Sequence, residues 1–450
     1  MLSKPYNFFK SLKDKSLLQG AYAFQQGALA RLSLSLVLPI TIVLGLLFSS
    51  EISALPRYAV ELNNNRCTAC HSNPGGGSLR NVYGKLYGQR NFPASKMSQQ
   101  ELLWMDWRAF YYAPEKPKTT RGGLELMEAV VGIKAPLHSP QQEEAGKRIE
   151  LVVNHSLTGL GGDRETYLLW QTYAPTEYSL RPQYYQVGRL MPPFGLRSDE
   201  HRMYTRILTR STWNDFLLGL AIAGDLSPQL HYDLAFSNGE PVSARSGSAG
   251  NLRGGQSGLH GAVANLRWNS PWTGLPVMLG FSGASFERFD STAQEKGDSP
   301  WAYSLYGLAS LTRWTQGRLP MTLSVEFVGA QHMNRGNPDL QAMVATKPND
   351  PPLQDYLNAL ANSQAQALQA ELAYTISPRF ELIYRYDEML LDKNFPADAF
   401  KRHGLGFNHW VAGNTILRAR YEMASGGHPQ SDPDGSSLQD AFWTMLQVSY

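Results

Sequence analysis

The chain of 450 residues holds two cysteines, and they fall in the run Cys67-Thr68-Ala69-Cys70-His71. This C-x-x-C-H spacing suits one piece of chemistry. Two thiols add to the two vinyl groups of one haem, and the adjacent imidazole ligates its iron. Cys67 and Cys70 are therefore the expected attachment points of a single covalent haem c, and His71 the expected axial ligand. A local disulfide or a redox C-x-x-C is the alternative, but the βαβ setting of a thioredoxin-like site is absent. The distal ligand stays open. Met97 and Met105 are the nearest methionines, and His138, His155 and His201 are more remote candidates. Water or a vacant position completes the choice.

Thioether attachment of haem takes place outside the bacterial cytoplasm, so an export signal has to precede the motif. Residues 1–54 read as one. Lys4, Lys10, Lys13, Lys15 and Arg31 precede an apolar run from Leu32 to Leu47, and Ile52-Ser53-Ala54 supplies small residues for cleavage before Leu55-Pro56. An uncleaved anchor is the competing reading. The run falls short of the ~20 residues that span a bilayer, and Pro39 interrupts it. The overall charge is +3, from 41 Lys+Arg and 38 Asp+Glu. That excess lies in the leader, so the remainder is balanced and carries no electrostatic footprint for nucleic acid.

Residues 55–97 form the expected haem segment. They are too few to bury a core of their own, so they must pack around the haem and against something else. Gly75-Gly76-Gly77 reads either as a flexible turn that lets backbone approach the haem or a wall, or as a plain surface loop.

Residues 98–450 must supply that support. No further run of ~18 apolar residues occurs, so helical spans are excluded. The chain nevertheless has 22 Tyr, 18 Phe, 10 Trp and 40 Gly with only 18% charged residues, a composition that fits aromatic girdles and many turns. Period-2 alternation recurs throughout. Phe380, Leu382, Tyr384 and Tyr386 alternate with Glu381, Ile383, Arg385 and Asp387. Leu417, Ala419 and Tyr421 alternate with Arg418, Arg420 and Glu422, and Leu323, Val325 and Phe327 with Thr322, Ser324 and Glu326. Sixteen strands are predicted, near 102–111, 122–132, 147–156, 164–174, 182–190, 215–223, 229–237, 259–268, 275–289, 301–313, 320–331, 364–376, 380–390, 401–411, 414–423 and 441–450.

Connections alternate between long (191–214, 238–258, 290–300, 332–363, 391–400, 424–440) and short (175–181, 224–228, 269–274, 314–319, 377–379, 412–413). A soluble sandwich has no reason to alternate this way. Short turns on one side and long loops on the other are the habit of all-β transmembrane antiparallel barrels in the bacterial outer membrane, with both mature termini in the periplasm. A barrel of this size leaves an aqueous channel wide enough for a plug, so the haem segment is expected at the periplasmic mouth or in the lumen. The last strand ends in aromatic Tyr450, which looks like the signal read by the outer-membrane insertion machinery.

The order of signal peptide, Leu55-Pro56-Arg57-Tyr58-Ala59, C-x-x-C-H, Tyr83-Gly84 and barrel resembles the fused monohaem cytochrome–porins of the outer membrane, including the iron-oxidising cytochromes. Val187-Gly188-Arg189 with Pro192-Pro193-Phe194-Gly195 is similar to a motif of substrate-selective porins. The cytochrome–porin resemblance implies electron transfer across the outer membrane between an extracellular donor or acceptor, Fe(II) among them, and a periplasmic c-type cytochrome or other carrier. It implies an electron carrier rather than a turnover enzyme, or else an Fe(II)-oxidising or other haem oxidoreductase.

The alternative function is a diffusion porin with the haem segment as plug or gate. Lumen charges such as Arg385, Asp387, Arg418, Arg420 and Glu422 serve either function, because a ring of charges sets ion selectivity. The run Arg197, His201, Arg202, Arg206 and Arg210 folds inward as a basic constriction or stays outside as a solvated loop with a helical turn. A peroxidase-like enzyme would need acid/base groups at an open distal site, and no such constellation is visible.

Overall fold

The computed structural model describes residues 103–114, 123–138, 148–157, 163–172, 180–196, 203–212, 215–243, 259–270, 276–287, 289–290, 295–296, 299–333, 364–377, 379–393, 399–412, 415–426 and 440–449. The expected signal peptide (1–54) and haem segment (55–97) lie outside the described residues, as do Cys67, Cys70, His71, Met97 and His201.

Sixteen long strands form one sheet. They are β1 (Leu103–Pro114), β2 (Gly123–His138), β3 (Arg148–Ser156), β4 (Asp163–Gln171), β5 (Tyr184–Leu190), β6 (Asp215–Asp225), β7 (Leu230–Ser237), β8 (Gly261–Asn269), β9 (Val277–Phe286) and β10 (Trp301–Ser310). The remaining six are β11 (Met321–Gln331), β12 (Gln364–Ser377), β13 (Phe380–Leu390), β14 (Phe400–Ala412), β15 (Thr415–Gly426) and β16 (Ala441–Ser449). Each pairs antiparallel with its neighbours in sequence. The ring closes where β1 pairs with β16, from Asp106 opposite Ser449 to Pro114 opposite Ala441. Closure leaves no sheet edge with unpaired backbone groups, the condition a spanning sheet must meet in hydrocarbon. Among the described residues, two short helices interrupt the connections, α1 (Tyr204–Thr209) and α2 (Leu311–Trp314). Val242–Ser243 adds a short strand beside the start of β6.

The alternation in sequence becomes an inversion of the usual core. Along β13, buried and accessible residues alternate: Glu381, Ile383, Arg385 and Asp387 point inward and are buried, while Leu382 and Tyr384 face out. On β10, Ala302, Ser304, Tyr306 and Leu308 are buried and Leu305 is 53% exposed. Phe281, Leu279, Leu323, Leu405 and Phe442 extend the exposed apolar belt, while Arg108, Glu150, Asn265, Arg267 and Arg418 line the inside. At ~25 cal/mol per Å² of apolar surface, such a belt is unfavourable in water and favourable in lipid. A soluble sandwich would turn the same strands the other way.

From β5 onward the connections at one end (191–214, 238–260, 287–300, 332–363, 391–399, 427–440) are longer than their neighbours at the other (226–229, 270–276, 311–320, 378–379, 413–414). The asymmetry does not reach the first four strands, where 172–183 is longer than the expected short turn 175–181 and 157–162 is brief. Both β1 and β16 have their outer ends, Leu103 and Ser449, at the short-connection end. Strand β2 runs six residues past its predicted end at 132. It carries Pro136 where the register to β3 slips, and an irregularity of this kind tolerates a residue without an N–H.

Candidate functional site

The described parts of the connection between β5 and β6, residues 191–196 and 203–212, do not stay outside. Leu190 leads into Met191-Pro192-Pro193-Phe194-Gly195-Leu196, and the return limb carries Met203, α1 and Thr212, whose N–H and hydroxyl donate to Asp215 at the start of β6. Every residue of α1 is buried, and the helix packs on β11, β12 and β13. Six residues of helix are marginal alone, so tertiary packing has to hold them. The wall opposite is made of small inward residues, Ala302, Ala330, Ala365 and Ala367, against which Tyr204, Ile207, Leu208 and Phe194 close an apolar cluster. Leu196 packs separately on Met278, Tyr306 and Leu308.

One carboxylate anchors the segment. Glu326, fully buried on β11, accepts from both the Arg206 guanidinium and the Leu196 N–H, and from the Ser304 hydroxyl at 2.7 Å. Arg206 also donates to the Phe194 carbonyl and to Ser211 Oγ at 3.0 Å. Gly195 N–H donates to Ser282 Oγ on β9 at 2.8 Å. Gly195 sits at φ 62°, and a Cβ there would lie 2.1 Å from Glu326 Oε1 and 2.6 Å from Arg206 Nη2. The Pro-Pro-Phe-Gly run therefore ends in a glycine for two reasons, backbone conformation and space.

The basic run divides between described and undescribed positions. Arg206 lies inside on the anchor, Arg210 pairs with Glu240 at 3.1 Å, and Arg197, His201 and Arg202 lie outside the described residues. Of the two sequence-level readings, inward folding is the one seen for α1. Its role is not a bare basic ring, since Arg206 is neutralised by Glu326.

The remaining wall carries charges in pairs. Arg385 donates to Glu371 Oε2, at 3.0 Å from its Nε. Arg402 Nη2 lies 2.9 Å from Asp387 and its Nη1 3.7 Å from Glu422, which in turn accepts from Trp443 Nε1 at 2.8 Å. Arg402 also lies over the Tyr204 ring of α1 at 4.7 Å, and Arg420 over Trp443 at 5.1 Å. Nearer the short connections, His231 lies between Asp225 (2.7 Å) and Asp233 (3.3 Å), and Asp233 meets Arg267 at 3.0 Å. Cross-strand pairs of opposite sign fix lumen side chains in place and leave a polar track of both signs.

Three of the distal-ligand candidates lie among the described residues. Met105 lies between Trp104, which faces inward and donates to Asn154 Oδ1 at 3.0 Å, and Asp106, so its own side chain is on the outer face. His155 is likewise on the outer face of β3, exposed beside buried Asn154 and Ser156. His138 ends β2. No group of three or more His, Cys, Asp or Glu able to hold a metal occurs among the described residues.

A closed antiparallel ring of sixteen strands, apolar outside and polar within, with residues 191–196 and 203–212 folded inward, defines a porin-type barrel. No family model and no curated protein matches the sequence. Solved structures do match in fold. OmpF of Salmonella typhi, in complex with daunomycin, has a TM-score of 0.52 at 10% identity, over 77% of this chain and 97% of that one. The outer membrane channel DcaP of Acinetobacter baumannii has a TM-score of 0.51 at 11% identity, over 77% of this chain and 96% of that one. This chain therefore has the fold of outer-membrane porins.

Proposed function

We propose that the protein is an outer-membrane channel through which small solutes or ions pass, narrowed by the inserted residues 191–196 and 203–212, with both ends of the barrel chain in the periplasm. The observation that carries this reading is the anchor of Arg206, Leu196 and Ser304 on Glu326, which holds a loop inside a polar lumen. A barrel serving only as a membrane anchor needs no such device. Paired charges such as Arg402 with Asp387 and Glu422 give a passing solute donors and acceptors without a large net field. The test is conductance in planar bilayers: the purified protein should open ohmic channels, and a barrel that inserts but passes no current would sink the proposal.

Electron transfer is the second reading, favoured by Cys67-Thr68-Ala69-Cys70-His71. Two thiols and an imidazole are the donor set a covalent haem c requires, and Cys67, Cys70 and His71 would hold it. A bound haem supplies a one-electron couple. Held at the periplasmic mouth or in the lumen, it would lie between an extracellular donor or acceptor and a periplasmic c-type cytochrome or other carrier. The check uses proteoliposomes with a redox dye sealed inside and Fe(II) or ferricyanide outside. Dye turnover that depends on His71 supports the conduit, and solute leakage without dye turnover leaves the channel alone.

A further inference from the structure

Three amide side chains stand on the lipid side of the barrel. Gln331 on β11 and Gln364 and Gln366 on β12 alternate with Ala330, Ala365 and Ala367, which are buried and face inward, so the glutamines point out. The other amides of the described strands, Asn154, Gln186, Asn265, Gln369 and Gln447 among them, are buried in the lumen wall. A polar group facing acyl chains is costly, so a strip of amides belongs at the level of the headgroups. Its place in the chain agrees: Gln331 ends β11 and Gln364 opens β12, on either side of the long connection 332–363.

Aromatic rings complete the strip. Trp301 and Tyr303, on the adjoining β10, stack with centroids 6.0 Å apart and planes 15° apart. Tyr303 opposes Gly329, and Gly329 opposes Gln366. A Cβ at Gly329 would lie 2.4 Å from the Tyr303 ring, so one ring face rests on the sheet and the other looks away from it. Phe327 stands 6.1 Å from Tyr303. Gln331 Oε1 joins the two halves, accepting from Trp301 Nε1 at 3.1 Å and from Gln364 Nε2 at 3.4 Å.

We propose that this strip of β10, β11 and β12 is a docking site for the saccharide headgroup of an outer-leaflet glycolipid. Flat ring faces suit the C–H faces of a pyranose, and amides both donate and accept, as sugar hydroxyls require. None of the six side chains carries a formal charge, which fits hydroxyls better than phosphates. On the next two strands, outward Glu388 and Lys401 pair with each other at 3.7 Å. The strip continues the exposed apolar belt of Leu305, Leu323 and Val325 on the same strands, so its occupant comes from the membrane. Across three strands it is roughly 10 Å wide, room for one or two sugar rings. The inference rests on the reading of the barrel as an outer-membrane channel with its long connections outside.

The probe is rough-type lipopolysaccharide, titrated into the folded, full-length protein in detergent, with retained lipid counted by native mass spectrometry. Wild type should keep it in about 0.5 M NaCl, where contacts to phosphate are screened. Trp301→Ala and the double variant Gln364→Ala with Gln366→Ala should each lose about fivefold in apparent affinity, the worth of one net hydrogen bond. Val187→Ala, on the outer face of β5, should lose nothing. Heat-modifiable migration confirms that each barrel is folded. Wild-type affinity in both variants overturns the proposal, as does loss of the lipid to salt alone. A shift of the variants to a smaller assembly with lipid affinity unchanged also overturns it and gives the strip to a second copy of this chain. Conductance from the same preparation, and surface labelling of a tag placed within 332–363 on intact cells, report separately on the channel and on its orientation.

Discussion

Arg206 and Glu326 are 120 residues apart in sequence and meet as a fully buried ion pair inside the barrel, the first from a helix of six residues and the second from the strand wall. Removing one member of such a pair strands the other charge and costs roughly 3–5 kcal/mol. Glu326→Ala should therefore release the inserted segment, raising single-channel conductance and lowering the temperature at which the folded band is lost on gels. Unchanged conductance with a folded barrel would show that the anchor does not set the width of the pore.

Gly195 serves the same anchor through the backbone. Its φ of 62° and the 2.1 Å separation of a built Cβ from Glu326 Oε1 mean that Gly195→Ala both strains the turn and displaces the carboxylate. The conformational part alone costs about 1–3 kcal/mol. Because the two sites share one contact, Gly195→Ala and Glu326→Ala should be strongly non-additive in a double-mutant cycle. Simple addition of their effects on conductance and stability would separate Gly195 from the anchor.

Leu305 tests the outer face. It lies near the middle of β10, is 53% exposed and has buried Ser304 and Tyr306 beside it. Leu305→Arg should destabilise folding into vesicles by about 2–4 kcal/mol, the cost of an arginine at the bilayer midplane. A surface position in water would tolerate the change within about 0.5 kcal/mol. Titration with guanidinium distinguishes the two, and the smaller value would falsify the lipid-facing assignment.

The cytochrome reading makes its own prediction. Protein exported with a haem-attachment system should show a covalent haem band on denaturing gels and a c-type pyridine haemochrome. Cys67→Ser with Cys70→Ser should abolish both. His71→Ala should alter the haem absorption spectrum while retaining some attachment. A wild-type protein without covalent haem under those conditions removes the electron-transfer reading and leaves the channel.

Strand existence was readable almost residue by residue in the second half of the chain. Residues 380–390 were predicted and are found as Phe380–Leu390, because Leu382 and Tyr384 on one face and Arg385 and Asp387 on the other can be satisfied together only on a two-faced ribbon. Ends were less legible. The strand predicted to 313 stops at Ser310, where Leu311–Trp314 takes one helical turn, since apolar residues continue past the point where pairing with β11 runs out. Met105 and His155 lie on the outer faces of β1 and β3, beside the inward-facing Trp104 and Asn154.

Alternation, turn spacing and the absence of long apolar runs were enough to determine a sixteen-stranded barrel with charges inside, because a period of two assigns every second side chain to one face. The C-x-x-C-H motif behind the haem proposal is also local, five consecutive residues long. Only the tertiary structure decided that residues 191–196 and 203–212 turn inward, that Arg206 answers to Glu326 rather than to solvent, and that Arg402 bridges Asp387 and Glu422. These depend on which strands stand next to or across from one another once the ring closes. The pairing of β1 with β16 brings Gln447 within 3.2 Å of Asp106, across 341 residues that no local pattern could connect.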